Sequence, residues 1–176
     1  MRAFVAVDLP EILADALVEV QEALPGRHVA AENLHLTLAF LGDVSDGVLR
    51  TLAEELGALR LAAPALRVTG LDVMGGKRPN LCFAAVEACV ELDVARHAVY
   101  AVCRRAGVDL RRERFRPHVT LSRFGRELGS REEARLAQAL GLLHLPELRA
   151  EGFALYRSDL RPEGVIYSVL AAYDFD

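Results

Sequence analysis

Leu34-His35-Leu36-Thr37-Leu38 and Pro117-His118-Val119-Thr120-Leu121 are two versions of one short pattern, set 83 residues apart in a chain of 176. Successive side chains of a strand point to opposite faces. The first segment, as a strand, turns His35 and Thr37 one way and Leu34, Leu36, Leu38 and Phe40 the other. The second turns His118, Thr120 and Ser122 one way, with Val119 and Leu121 opposite. Each strand thus offers an apolar face to helices and a His/Thr face that needs water or a ligand. Random placement of five His and four Thr predicts roughly 0.1 His-x-Thr pairs, yet two occur in the same apolar frame. A capped helix follows each strand, so the echo reads as a duplicated lobe, each half a small sheet with helices on one side.

Outward from these segments, strand and helix signals alternate. Arg2–Asp8 reads as a strand and not as the apolar core of a signal peptide. Pro10 then opens a helix with Leu13, Leu17, Val20 and Leu24 at helical spacing, closed by Pro25-Gly26. The first motif strand covers 34–41. Ser45-Asp46 caps a helix carrying Leu49, Leu52, Leu56 and Leu59. Residues 66–74 and 81–86 read as strands around a loop at 75–80, and Leu92, Ala95, Val99 and Val102 stripe a third helix. The second motif strand covers 117–123. Ser130-Arg131-Glu132-Glu133 reads as a capping box before Leu136 and Leu140. Strands at 148–156 and 164–173, joined by a turn at Leu160-Arg161-Pro162-Glu163-Gly164, close the chain. No linker appears, so residues 1–176 read as a single domain of two interleaved lobes.

Net charge is −4, so any nucleic-acid site must be a local basic patch. Arg111, Arg112, Arg114, Arg116, Arg123 and Arg126 crowd the second motif with only Glu113 opposing them; the run fits a solvated loop or such a patch. No apolar run is long enough to span a bilayer. Cys82, Cys89 and Cys103 lack the spacing of a zinc or redox site. They read as reduced thiols in a cytoplasmic protein, with Cys89 and Cys103 on one helix face. His28, His97 and His144 are scattered, no metal is expected, and Gly75-Gly76-Lys77 is not a P-loop. Tyr156, Tyr167 and Tyr173 read as core or rim and not as a stacking platform, though Tyr156-Arg157-Ser158 could approach the cleft.

Two imidazoles facing one cleft suit phosphoryl chemistry near neutral pH. A neutral ring takes a proton from water, and a protonated ring gives one to the leaving oxygen. Thr37 and Thr120 can hold the non-bridging oxygens, and a nearby Arg can neutralise them. The motifs are too alike for sequence physics to say which ring is the acid.

The doubled His-x-Thr-x-x-(Phe/Arg) pattern resembles the 2H phosphoesterases, and among them the bacterial and archaeal RNA 2',3'-cyclic phosphodiesterases, also called 2'-5' RNA ligases. The resemblance runs from Arg2-Ala3-Phe4-Val5-Ala6-Val7-Asp8-Leu9-Pro10, through Glu32–Gly42 and Phe115–Arg123, to Leu155-Tyr156-Arg157-Ser158, Gly164 and Tyr167. It implies an α+β, bilobal fold: two pseudo-symmetric antiparallel sheets around a central cleft, with helices on the outer faces. It implies metal-independent, cofactor-free opening of RNA 2',3'-cyclic phosphate ends to 2'-phosphates by a monomer that binds no membrane. By motif, His35 becomes the proton donor and His118 the acceptor, with Phe40 and Arg123 contacting the terminal nucleotide. Both of these lie five positions after a motif His, hence on the opposite strand parity. Either the strand bends or ends before them, or they face the helices, with Phe40 as plain core. Competing readings are a 2'-5' ligase or phosphodiesterase, a small-nucleotide cyclic phosphodiesterase, and a non-catalytic RNA-binding module.

Overall fold

Strand β1 (Arg2–Asp8) is buried from Ala3 to Val7 on both of its faces, the condition of a central strand. The structure is a computed structural model describing residues 1–162 and 164–176. After β1 come α1 (Glu11–Gln21), β2 (Arg27–His28), a 3-10 turn at Ala31–Asn33, β3 (His35–Asp43) and α2 (Asp46–Gly57). Then follow β4 (Ala65–Leu66), β5 (Val68–Met74), β6 (Leu81–Val86), α3 (Val90–Arg105), β7 (His118–Arg123) and α4 (Ser130–Ala139). The chain ends with β8 (Gly141–Leu142), β9 (Leu148–Arg149), β10 (Gly152–Arg161) and β11 (Gly164–Asp174).

The principal sheet runs β11-β10-β1-β3-β7-β6-β5-β8, with β2 added on β7, and every pairing is antiparallel. Its two halves, β11-β10-β1-β3 and β7-β6-β5-β8, meet through one register pair, Leu36 with Val119. The two expected sheets are therefore lobes of one surface, hinged where the motif strands touch. Residues 66–74 and 148–156 were each expected as one strand; each divides, and β4 and β9 pair as a separate two-stranded sheet.

The core lies against the apolar face of β3 and β7. Leu36, Leu38, Val119 and Leu121 are fully buried there, together with Leu13 and Leu17 of α1 and Val99 and Val102 of α3. Each such side chain contributes about 1.5–3 kcal/mol of burial. The helices cross over: α1 packs on β7 and α3 on β3, so each lobe's helix braces the other motif. Ser45 caps α2 as expected, its Oγ accepting from the Val48 N–H at 3.3 Å.

Other expectations need correction. The N-cap of α4 is Gly129, whose N–H donates to the Glu132 carboxylate at 2.9 Å, so the helix begins one residue earlier than the expected capping box. Cys89 stands at the N-cap of α3, before the helix face that carries buried Cys103; the three thiols are free. Of the expected turn at Leu160–Gly164, Glu163 lies outside the described residues.

Candidate active site

Both motif strands carry the same irregularity at the same place. In β3, Ala39 pairs with Val5 and Thr37 with Ala6, so Leu38 has no partner on β1. In β7, Ser122 pairs with Cys82 and Thr120 with Phe83, so Leu121 has none on β6. One extra residue in one strand is a β-bulge, and it reverses the facing of everything after it. The parity conflict at the fifth position after each histidine disappears. Phe40, 66% exposed, returns to the His35 face and is not core. Arg123 returns to the His118 face. The same reversal overturns the expected placing of Ser122, which is fully buried with its hydroxyl donating to the Pro25 carbonyl.

A bulge leaves a carbonyl without a ladder donor, and buried carbonyls need one. Leu38 O accepts from the Arg96 guanidinium of α3 at 2.8 Å. Leu121 O accepts from Gln21 Nε2 of α1 at 2.8 Å and from the Val29 N–H at 2.9 Å. Gln21 also donates to Val29 O at 2.9 Å and is 3% exposed. The crossed helices thus each supply one polar side chain that holds the opposite motif's bulge. Sequence reading missed both. The available signal was a long polar side chain on the otherwise apolar face of each helix.

The two imidazoles are held alike. Nδ1 of His35 lies 2.7 Å from Asn33 O, and Nδ1 of His118 lies 2.7 Å from Arg116 O, each carbonyl two residues back. A carbonyl only accepts, so Nδ1 carries the proton and Nε2 is left to exchange one. Around the Leu36–Val119 pair, the antiparallel sense sets His35 beside Thr120 and Thr37 beside His118. All four side chains leave the face opposite the core and are half-buried.

Burial lowers the pKa of both rings. For His35 the Asn33 carbonyl opposes this, while the charges of Arg123 and His118 add to it. For His118 the Arg116 carbonyl opposes, and the charges of Arg116 and Arg123 add. The charge of Arg123 therefore acts on both rings at once. The face carries excess positive charge that an anion would relieve.

The walls differ. His35 sits among rings: Phe4 at 4.8 Å, Tyr167 edge-on at 5.3 Å, and Tyr156 at 6.4 Å between centroids. Tyr156, which sequence allowed to approach the cleft, and Tyr167 wall the first histidine, whereas half-buried Tyr173 donates to Ala53 O at the edge of the core. Phe4 also stacks on Tyr156 at 5.0 Å and lies 6.3 Å from Phe40, so an aromatic surface continues outward. The Tyr156 hydroxyl donates to Asp8, whose carboxyl burial pushes up. Among the described residues His118 meets one ring, Phe83, edge-on at 5.3 Å.

Gly26 lets β2 approach β7. Its φ of 85° suits glycine, and a Cβ there would lie 2.7 Å from Arg123 O. The arginine run divides: the charges of Arg116 and Arg123 act on the histidines, while Arg126 pairs with Glu132 at 3.1 Å. Lys77 and Arg78 line a separate cavity of about 210 Å³ against Leu136 and Leu140. His28 and His97 bond the Leu24 and Asp93 carbonyls, and His144 is exposed. Among the described residues no three His, Cys, Asp or Glu side chains converge as a metal set, and no helix is long and apolar enough to cross a membrane.

Residues 7–83 and 86–167 match the family described as LigT-like phosphoesterases. The chain is 37% identical to an RNA 2',3'-cyclic phosphodiesterase of Thermus thermophilus, over 98% of this chain and 89% of the relative. It is 33% identical to one from Methanothermobacter thermautotrophicus, over 98% of both. Among solved structures, TT0787 of Thermus thermophilus superposes with a TM-score of 0.81 at 31% identity, covering 99% of this chain and 98% of that one. Escherichia coli LigT complexed with 3'-AMP superposes at 0.79 with 26% identity, covering 99% and 96%.

Proposed function

The chain belongs to the LigT-like phosphoesterases, and on that footing we propose that it opens RNA 2',3'-cyclic phosphates to 2'-phosphomonoesters with its own two imidazoles. The supporting observation is the paired carbonyl anchoring, which leaves both Nε2 atoms free on one face beside Arg123. The relatives named for that activity supply the substrate class.

In this reading His118 Nε2 takes a proton from water as its oxygen attacks phosphorus. The P–O3' bond breaks on the far side, and His35 Nε2–H protonates O3'. Water supplies one proton to His118 and His35 gives up another, so the enzyme returns to its starting state by exchange with solvent. Thr37 and Thr120 donate to the non-bridging oxygens, and Arg123 offsets their charge as it builds in the transition state. Phe40 packs on the terminal nucleoside. No step calls for a metal or a cofactor. The three free thiols fit a reducing cytoplasm, and the protein acts as a monomer on RNA ends.

The test is incubation with an oligonucleotide ending in a 2',3'-cyclic phosphate, in EDTA, with the product's phosphate position read by phosphorus NMR. A 2'-phosphate with full activity is expected. A 3'-phosphate would reverse the leaving group, and activity lost to EDTA and restored by a metal would sink the two-histidine mechanism.

A further inference from the structure

We infer that a groove on the outer side of His118 holds the RNA chain one nucleotide upstream of the cyclic phosphate; the inference rests on the function proposed above. The groove has a volume of about 440 Å³ and is lined by Phe83, Ala85, Arg114, Phe115, Arg116 and Pro117, among others. Ligand pockets for groups of nucleotide size span about 300–1,000 Å³. It is continuous with the reaction centre at three points. Phe83 touches the His118 ring, Ala85 is the register partner of His118, and Arg116 supplies the carbonyl that anchors its Nδ1.

The lining is that of a single-strand site, cationic groups beside aromatic faces. Arg116 lies over the Phe83 ring at 5.7 Å, and its ion pair with Asp72 is long, 3.9 Å, and exposed on both sides. Such a pair contributes little, so the guanidinium can exchange it for a phosphodiester. Arg114 is exposed. Nor is the wall a loose loop. Arg96, whose other arm holds the β3 bulge, lies 4.6 Å over the Phe115 ring and donates to Glu113 O at 3.4 Å. The groove is therefore braced against the first motif. An acidic protein, −4 overall, attracts RNA only where cations are concentrated, and Arg114 and Arg116 line this groove beside His118. The nucleoside bearing the reacting ring takes the aromatic surface at Phe40, which leaves the groove for the chain leading away.

The experiment compares a dinucleotide ending in a 2',3'-cyclic phosphate with the matching mononucleoside 2',3'-cyclic phosphate. Wild type should favour the dinucleotide, chiefly through a lower KM. Arg114→Ala should cut that preference about tenfold, the worth of one charged hydrogen bond, and Arg114→Lys should restore part of it. The slope of log KM against log salt for the dinucleotide should fall by about 0.7 in Arg114→Ala, one phosphate contact on a single strand. Equal use of both substrates by wild type overturns the groove's role, and so does a full preference retained by Arg114→Ala. An equal loss on both substrates would also overturn it, by putting the terminal nucleoside in the groove. Wild type that cleaves neither substrate would instead sink the parent function, and the groove's occupant with it.

Discussion

The first and second motif strands share a skeleton and differ in their walls. Each has an imidazole anchored two residues back, a hydroxyl two residues on, a bulge next, and an outward side chain at the fifth position. Around that skeleton, the first strand is surrounded by Phe4, Tyr156, Tyr167 and Phe40, the second by Phe83, Arg116 and Arg123. What is repeated is what proton transfer across a phosphate requires twice. What is not repeated is the wall, rings on one side and guanidinium groups on the other, which the proposed function reads as a nucleoside side and a phosphate side.

The largest effects should test whether the shared half is chemically divided. His118→Ala and His35→Ala should each lower kcat on a cyclic RNA end by about 10²–10⁴-fold, the usual worth of one acid or base. An activated aryl phosphodiester, whose leaving oxygen needs no proton, should separate them. His35→Ala should recover much of its rate on that substrate and His118→Ala should not. Equal impairment of both variants would show that the strands are as alike in role as in geometry. Full activity of both on the cyclic end would leave the histidines structural.

Next in size are the two fifth-position residues. Arg123→Ala removes a cation felt by both rings, and kcat/KM should fall about 10–100-fold, the range for a lost charged hydrogen bond. Phe40→Ala should cost several-fold and mostly in KM, since it withdraws contact surface and no charge. A matching loss at both positions, in the same kinetic constant, would erase the proposed contrast between phosphate and nucleoside sides.

Smaller again are the side chains holding the bulges. Gln21→Leu leaves the half-buried Val29 carbonyl without that donor and the buried Leu121 O with one donor fewer, at a cost of about 1–3 kcal/mol in chemical denaturation. Arg96→Met should cost about 1 kcal/mol, because water can reach part of its site. Activity sharpens the comparison further. A relaxed β7 bulge should reproduce the Arg123 defect in milder form, and a relaxed β3 bulge the Phe40 defect. Variants that lose stability while kcat/KM stays intact would show that the bulges hold without these donors.

These side chains also mark where the sequence stops being readable. Alternation and helical spacing located β1, α2, α3 and both motif strands within a residue or two, because each buries a continuous apolar face; α1 ends at Gln21, three residues before the expected Leu24. His35, Thr37, His118 and Thr120 share one face because period 2 leaves them no other. The bulges escaped, since Leu38-Ala39 and Leu121-Ser122 bury two adjacent side chains that alternation assigns to opposite faces. The only trace was the awkward parity of Phe40 and Arg123. Placing Ser122 beside the histidines was the same error. The aromatic wall of His35 is a product of register: Tyr156 sits opposite Phe4, and Phe4 opposite Phe40, across three strands distant in the chain. No local pattern carries that.

The smallest expected effect is the position of the pH profile, and it depends on what the two walls have in common. An isolated imidazole titrates near 6.5, and from sequence alone both limbs of a bell-shaped kcat/KM belong there. Burial, then the cations beside them, lowers both rings. A lowered pKa keeps the base neutral to lower pH, which moves the rising limb toward acid. It also deprotonates the acid sooner, which moves the falling limb the same way. The optimum of kcat/KM should therefore lie below the ordinary imidazole value, and the two apparent constants belong to the coupled pair. Arg123→Ala removes a charge that opposes protonation of both rings, so its weaker profile should shift back toward higher pH. Inorganic phosphate should act in the same direction by stabilising the imidazolium forms. Proton NMR titration of the two histidine ring C–H signals, with and without phosphate, checks this without turnover. Rings that titrate at or above the free value in the unliganded protein, or that ignore phosphate, would mean that the cleft does not present its two histidines to an anion.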